Sequence, residues 1–81
     1  MTEELVYGVR RFRMLPYHDA VRGDRQAIEL AEVVDNKLGP ALMTVLFADS
    51  GDLAGSEVLI NEGCLPWPVV SGFMVRAAQE Q

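Results

Sequence analysis

The sequence predicts an α+β domain of two layers: a small three-stranded sheet with helices on one face, in the chain order β-α-β-β-α. Three observations carry that expectation. Residues 24–48 read as a helix with both ends marked, followed by an apolar strand. A short apolar run, Glu57–Asn61, stands between glycine-bearing turns. The final segment, Val69–Gln81, carries apolar residues at helical spacing behind a proline.

The helix rests on particular residues. Asp24 is placed to cap its N-terminus, and Ala27, Leu30, Ala31, Val34 and Leu38 recur at spacings of three and four, on one face. Glu29, Glu32, Asp35 and Asn36 then point outward. Gly39 fits a left-handed C-terminal cap and Pro40 a stop. Ala41–Ala48 follows as a strand buried on both faces, interrupted only by Thr44.

The first strand, Leu5–Leu15, has a parity conflict. Leu5, Tyr7 and Val9 share one face, whereas Phe12 and Met14 fall on the other, with Arg10-Arg11 between. A bulge near Arg10–Arg11, or a bend, resolves it. Arginines along a strand suit an edge, and Gly8 weakens it. Pro16 ends this strand, and Tyr17–Gly23 reads as a polar connection to the helix. A right-handed crossover then sets the first two strands parallel. Asp49-Ser50-Gly51-Asp52 is a turn, after which Glu57–Asn61 pairs antiparallel with Ala41–Ala48. The two prolines of Cys64-Leu65-Pro66-Trp67-Pro68 exclude a helix interior or a central strand. In Val69–Gln81 the spacing of Val69, Val70, Phe73, Met74 and Ala77 outweighs the strand preference of Val-Val and the cost of Gly72, giving a helix. With both helices on one face, Leu42 or Met43 and Phe47 stand open on the other, an apolar patch of the kind used for association.

Eighty-one residues make one domain at most, 49% of them hydrophobic and 23% charged, a globular composition. The net charge of −5 argues against a general nucleic-acid binder, although five of the seven basic residues, Arg10, Arg11, Arg13, Arg22 and Arg25, fall in the first 25. The single cysteine, Cys64, forms no internal disulfide. Thr-Glu-Glu after Met1 is unlike a secretory leader, and every apolar run is far short of the roughly 20 residues of a membrane span. A cytoplasmic protein without membrane attachment is the expectation.

Chemistry finds little purchase. Cys64 with His18 and Asp19 supplies the residue types of a thiol nucleophile, its base and an orienting acid, but nothing in the sequence brings them together. One histidine and one cysteine fall short of a structural zinc site, and Asp49, Asp52 and Glu57 do not fit a calcium loop. No glycine-rich phosphate loop is present. The Arg22-Gly23-Asp24 tripeptide is explained by helix entry. No catalytic set, metal or cofactor is therefore assigned. Arg10, Arg11 and Arg13 interleave with Tyr7, Phe12 and Tyr17, a pattern that could hold phosphates and stack bases. Trp67, fixed between Pro66 and Pro68, suits a contact residue that orders cheaply.

The expectation is a small non-catalytic protein-interaction module, acting as regulator, inhibitor or accessory subunit. It dimerises or docks on a larger protein through Arg10, Arg11, Phe12, Arg13, Trp67 and Met74. Two alternatives stand beside it: a small dimeric enzyme whose apolar pocket lies between sheet and helices near His18 and Tyr17, and nucleic-acid binding through the Arg10–Arg13 strand.

Overall fold

The computed structural model describes residues 3–21, 23–48, 53–61 and 63–79. Five antiparallel strands form one sheet in sequential order: β1 (Glu3–Tyr7), β2 (Arg10–Asp19), β3 (Arg25–Val34), β4 (Lys37–Leu46) and β5 (Glu57–Ile60). A 3₁₀ turn at Leu53–Gly55 precedes β5, and a single α-helix, α1 (Trp67–Gln79), follows it. This overturns the expected three-stranded β-α-β-β-α arrangement. Its first helix and its parallel crossover are replaced by a meander.

The correction centres on β3. Residues 25–34 pair with β2 on one side and with β4 on the other, so this is the middle strand. Ile28 and Leu30 project to one face and Ala27 and Ala31 to the opposite one, and all four are buried. A strand covered on both faces shows an almost continuous apolar run, which mimics the apolar stripe of a helix. Asp35 and Asn36 are not the polar side of that helix. At φ 53° and 62° they form the two-residue turn between β3 and β4, with both central residues left-handed, as in a type I′ hairpin. Asp24, at φ 57°, lies in the β2–β3 connection and caps nothing.

Gly39 and Pro40 belong to β4 rather than to a helix terminus. The β3–β4 register shifts between Ala31 and Val33, where Glu32 faces a bulge at Gly39–Pro40. A Cβ on Gly39 would come within 3.3 Å of the Glu32 carbonyl oxygen, so the bulge brings the two backbones close. The parity conflict in the first strand also has a simple origin. The chain reverses at Gly8–Val9, and only Gly8 of these two has positive φ (61°), the type II′ pattern. Leu5 thereby lies opposite Phe12, on the same face.

Helix α1 buries Val69, Phe73 and Ala77, spaced by four, against Phe12, Met14, Ile28, Leu30, Met43, Val45 and Phe47 of the sheet. Leu5, Leu65, Val70 and Met74 pack at the margins of this core. Met43 and Phe47, expected in the open, therefore lie under the helix. The opposite face is mixed. Ala27, Ala31, Thr44 and Leu46 are buried there and Val6 and Leu38 are exposed, while the ion pairs Arg11–Glu4 (2.8 Å) and Arg25–Glu57 (2.7 Å) run alongside them. At the end of α1, Arg76 reaches Glu3 of β1 at 2.7 Å, tying the helix to the far edge of the sheet. None of the described helices is long and apolar enough to cross a membrane. Asp49, Ser50, Gly51 and Asp52, expected as a turn, lie outside the described residues, as does Arg22.

Candidate functional site

Two surfaces stand apart from the packed body. The first arises because β2 is ten residues long and β1 only five. Beyond Met14, β2 has no described neighbour on its outer side, and Pro16 sits on this overhang, where a strand tolerates a residue without an N–H. Leu15, Pro16, Tyr17, His18, Asp19, Ala20, Val21 and Glu29 line an open hollow of about 740 Å³ along it.

Polar contacts around this hollow mostly hold the protein's own loop. Asp19 is buried: its Oδ2 accepts from the Tyr17 hydroxyl at 3.2 Å and its Oδ1 from the Val21 N–H at 3.1 Å. His18 Nε2 faces Asp24 Oδ1, and the Gln26 amide meets His18 Nδ1 at 3.1 Å. That arrangement fits the tautomer with its proton on Nε2 donating to Asp24, while Gln26 donates to Nδ1. The histidine thus bridges the two sides of the β2–β3 connection. It does not meet Cys64, which is exposed beyond the far end of β5, with β3 and β4 between. No group of three or more His, Cys, Asp or Glu suited to a metal ion occurs among the described residues. The space between sheet and helix, where a pocket was expected for an enzyme, holds the close-packed side chains of Phe12, Leu30 and Phe73.

The second comprises exposed apolar side chains on β5 and at the start of α1. Val58 and Ile60 lie opposite Val45 and Met43, hence on the helix-bearing side of the sheet, yet they are 43% and 70% exposed. Trp67 begins α1 and is 73% exposed. The N–H groups of Val69 and Val70 both donate to the Pro66 carbonyl, at 3.0 and 3.2 Å, which fixes the turn that carries the indole.

The residues singled out from sequence are dispersed between these regions and the core. Phe12 is fully buried, and Met74 is half-buried against the core. Arg10 pairs with Glu32, while Arg11 and Arg13 converge on Glu4 at 2.8 and 3.7 Å. Hydrogen bonding to Arg11 holds the Glu4 carboxyl below its ordinary value, and Arg10 does the same to Glu32. These guanidinium groups therefore carry intramolecular partners, and the Phe12 ring that would interleave with them lies inside. Of the six residues, Trp67 alone stands prominently in solvent as an apolar side chain. Sequence reasoning passed over Val58 and Ile60. The strand Glu57–Ile60 was legible, but its place at a sheet edge follows from the meander. No family model matches the chain, and neither the curated proteins nor the solved structures contain a match.

Proposed function

We propose that this chain is a small non-catalytic protein-interaction module, a regulator, inhibitor or accessory subunit, whose contact surface is the margin of Val58, Ile60 and Trp67. The observation that carries the reading is Trp67: a large aromatic side chain 73% exposed, on a turn already fixed by two backbone bonds to Pro66. Tryptophan is enriched among residues that dominate binding energy, because it removes much apolar area from water while ordering few rotors. Val58 and Ile60 add exposed apolar side chains on the same side of the sheet. Arg10, Arg11 and Arg13, which the sequence offered as contacts, would first have to leave Glu32 and Glu4, so their part is at most peripheral.

A photo-crosslinking amino acid at position 67 tests this, with the same group at Val9 as control. Val9 is also apolar and fully exposed, but stands at the β1–β2 turn. The expected result is a discrete cross-linked protein from position 67 only, whose binding in purified form is lost with Trp67→Ala. Equal labelling from both positions, or none from 67, overturns the reading.

A further inference from the structure

We propose that β5 is a self-complementary edge, through which two copies of this chain pair antiparallel about a two-fold axis at Leu59. The inference rests on the interaction reading above and names a second copy as the partner.

Backbone direction carries the argument. The Asn61 N–H donates to the Leu42 carbonyl at 3.1 Å, so residue 61 aims its backbone at β4. Along a strand the direction of N–H and C=O alternates, and Thr44 opposite Leu59 and Leu46 opposite Glu57 continue the same series. Val58 and Ile60 therefore aim their N–H and C=O groups outward, where the sheet ends. With Val58 opposite Ile60 of the second copy, each of the two symmetric pairs exchanges two N–H···O=C bonds. Every outward backbone group of β5 is then satisfied, and a shift of two residues either way loses one of the pairs.

The same register suits the side chains. Leu59 faces its own copy, and Glu57 faces Asn61, so no like charges meet. Glu57 is itself held by Arg25 at 2.7 Å. Because the two-fold axis runs normal to the sheet, the helix-bearing sides of both copies lie together. Val58 and Ile60 of both copies then merge into one apolar strip between the two helices. Pairing over one short strand buries less than the ~1,200 Å² typical of stable complexes, and a net charge of −5 on each copy opposes approach. The dimer is consequently weak, concentration-dependent and strengthened by salt.

Sedimentation velocity from about 10 µM to about 1 mM, at low and high salt, reads this directly. The expected mass rises from one chain toward two, and does so at lower concentration in high salt. Val58→Pro removes an outward N–H together with the isopropyl group, leaving the β4 ladder intact, and should stay at one chain throughout with an unchanged circular-dichroism spectrum. Ile60→Lys keeps the backbone and should weaken association about tenfold or more, whereas Val9→Lys should leave it unchanged. A wild-type mass of one chain at every concentration overturns the proposal. So does a dimer that persists in folded Val58→Pro and Ile60→Lys, or one that Val9→Lys disrupts equally. A monomer that still cross-links a different protein from position 67 defeats the β5 pairing alone and leaves the interaction reading standing.

Discussion

Arg10 holds Glu32 by two arms of its guanidinium: Nε donates to Oε2 and Nη2 to Oε1, both at 2.9 Å. The same guanidinium lies 5.0 Å from the centroid of the Phe12 ring, so the pair closes over one end of the core. Its bonds lower the Glu32 pKa from an ordinary 4.5, and Arg11 acts likewise on Glu4. A carboxyl whose pKa is lower in the folded state contributes stability that is full above the ordinary value and is lost as pH falls through the folded value. The melting temperature should therefore decline below about pH 4.5. In a Glu4→Gln, Glu32→Gln double variant that decline should be shallower, although its melting temperature at pH 7 should be lower. An identical acid limb in the variant, recorded by thermal melts across the range, would remove these two pairs as its cause.

Phe73 is fully buried where α1 meets the sheet, whereas Val75, two residues on, is 60% exposed. Phe73→Ala should cost about 3–5 kcal/mol, from lost transfer energy and the cavity left behind. Val75→Ala should stay within about 0.5 kcal/mol. Urea unfolding curves compare them, and similar midpoints would mean that the helix does not supply the second half of the core.

Asn36 sits at φ 62° in the β3–β4 turn. Glycine adopts that conformation without a Cβ penalty, so Asn36→Gly should stabilise the fold by about 0.5–1 kcal/mol. In a helix the same substitution would instead destabilise, by about 0.3 kcal/mol. The sign of the change in urea midpoint thus distinguishes a hairpin from a helix at this position.

Trp67 is the chain's one tryptophan, and its exposure predicts a red-shifted emission that changes little when a monomeric sample unfolds. Trp67→Ala should leave stability within about 0.5 kcal/mol of wild type. A blue emission at low micromolar concentration, or a large loss of stability, would place the indole inside the fold and take away the main support for the interaction reading.

What was legible in the sequence depended on how far a residue's partners lie along the chain. Glu57–Ile60 and the closing helix were readable, because bounding turns and four-residue spacing are local signals. The β3 strand was not. Its Gln, Ala, Glu and Leu residues favour a helix, and only pairing with β2 and β4 on either side reverses that preference. Asp35-Asn36 lacks the glycine that usually marks a two-residue hairpin, so the turn between β3 and β4 passed as a polar helical face. The arginine cluster was visible, but its engagement was not: Arg10 reaches across 22 residues to Glu32, and Arg11 across a hairpin to Glu4. For the same reason Trp67 could be singled out as a rigid aromatic residue, while the exposure of Val58 and Ile60 at a sheet edge could not be read.

The order of elements along the chain bears on how the protein is made. Strands β1 to β5 are all synthesised before α1, and Phe12, Leu30 and Met43 have no cover on the helix side until residues 69–77 leave the ribosome. During that interval the nascent sheet exposes its most apolar side together with the outer edge at β5. Among the described elements, the one that hides the surface most prone to aggregation is thus made after the whole sheet, and a ribosome stalled just short of α1 would hold a chain that chaperones are suited to recognise.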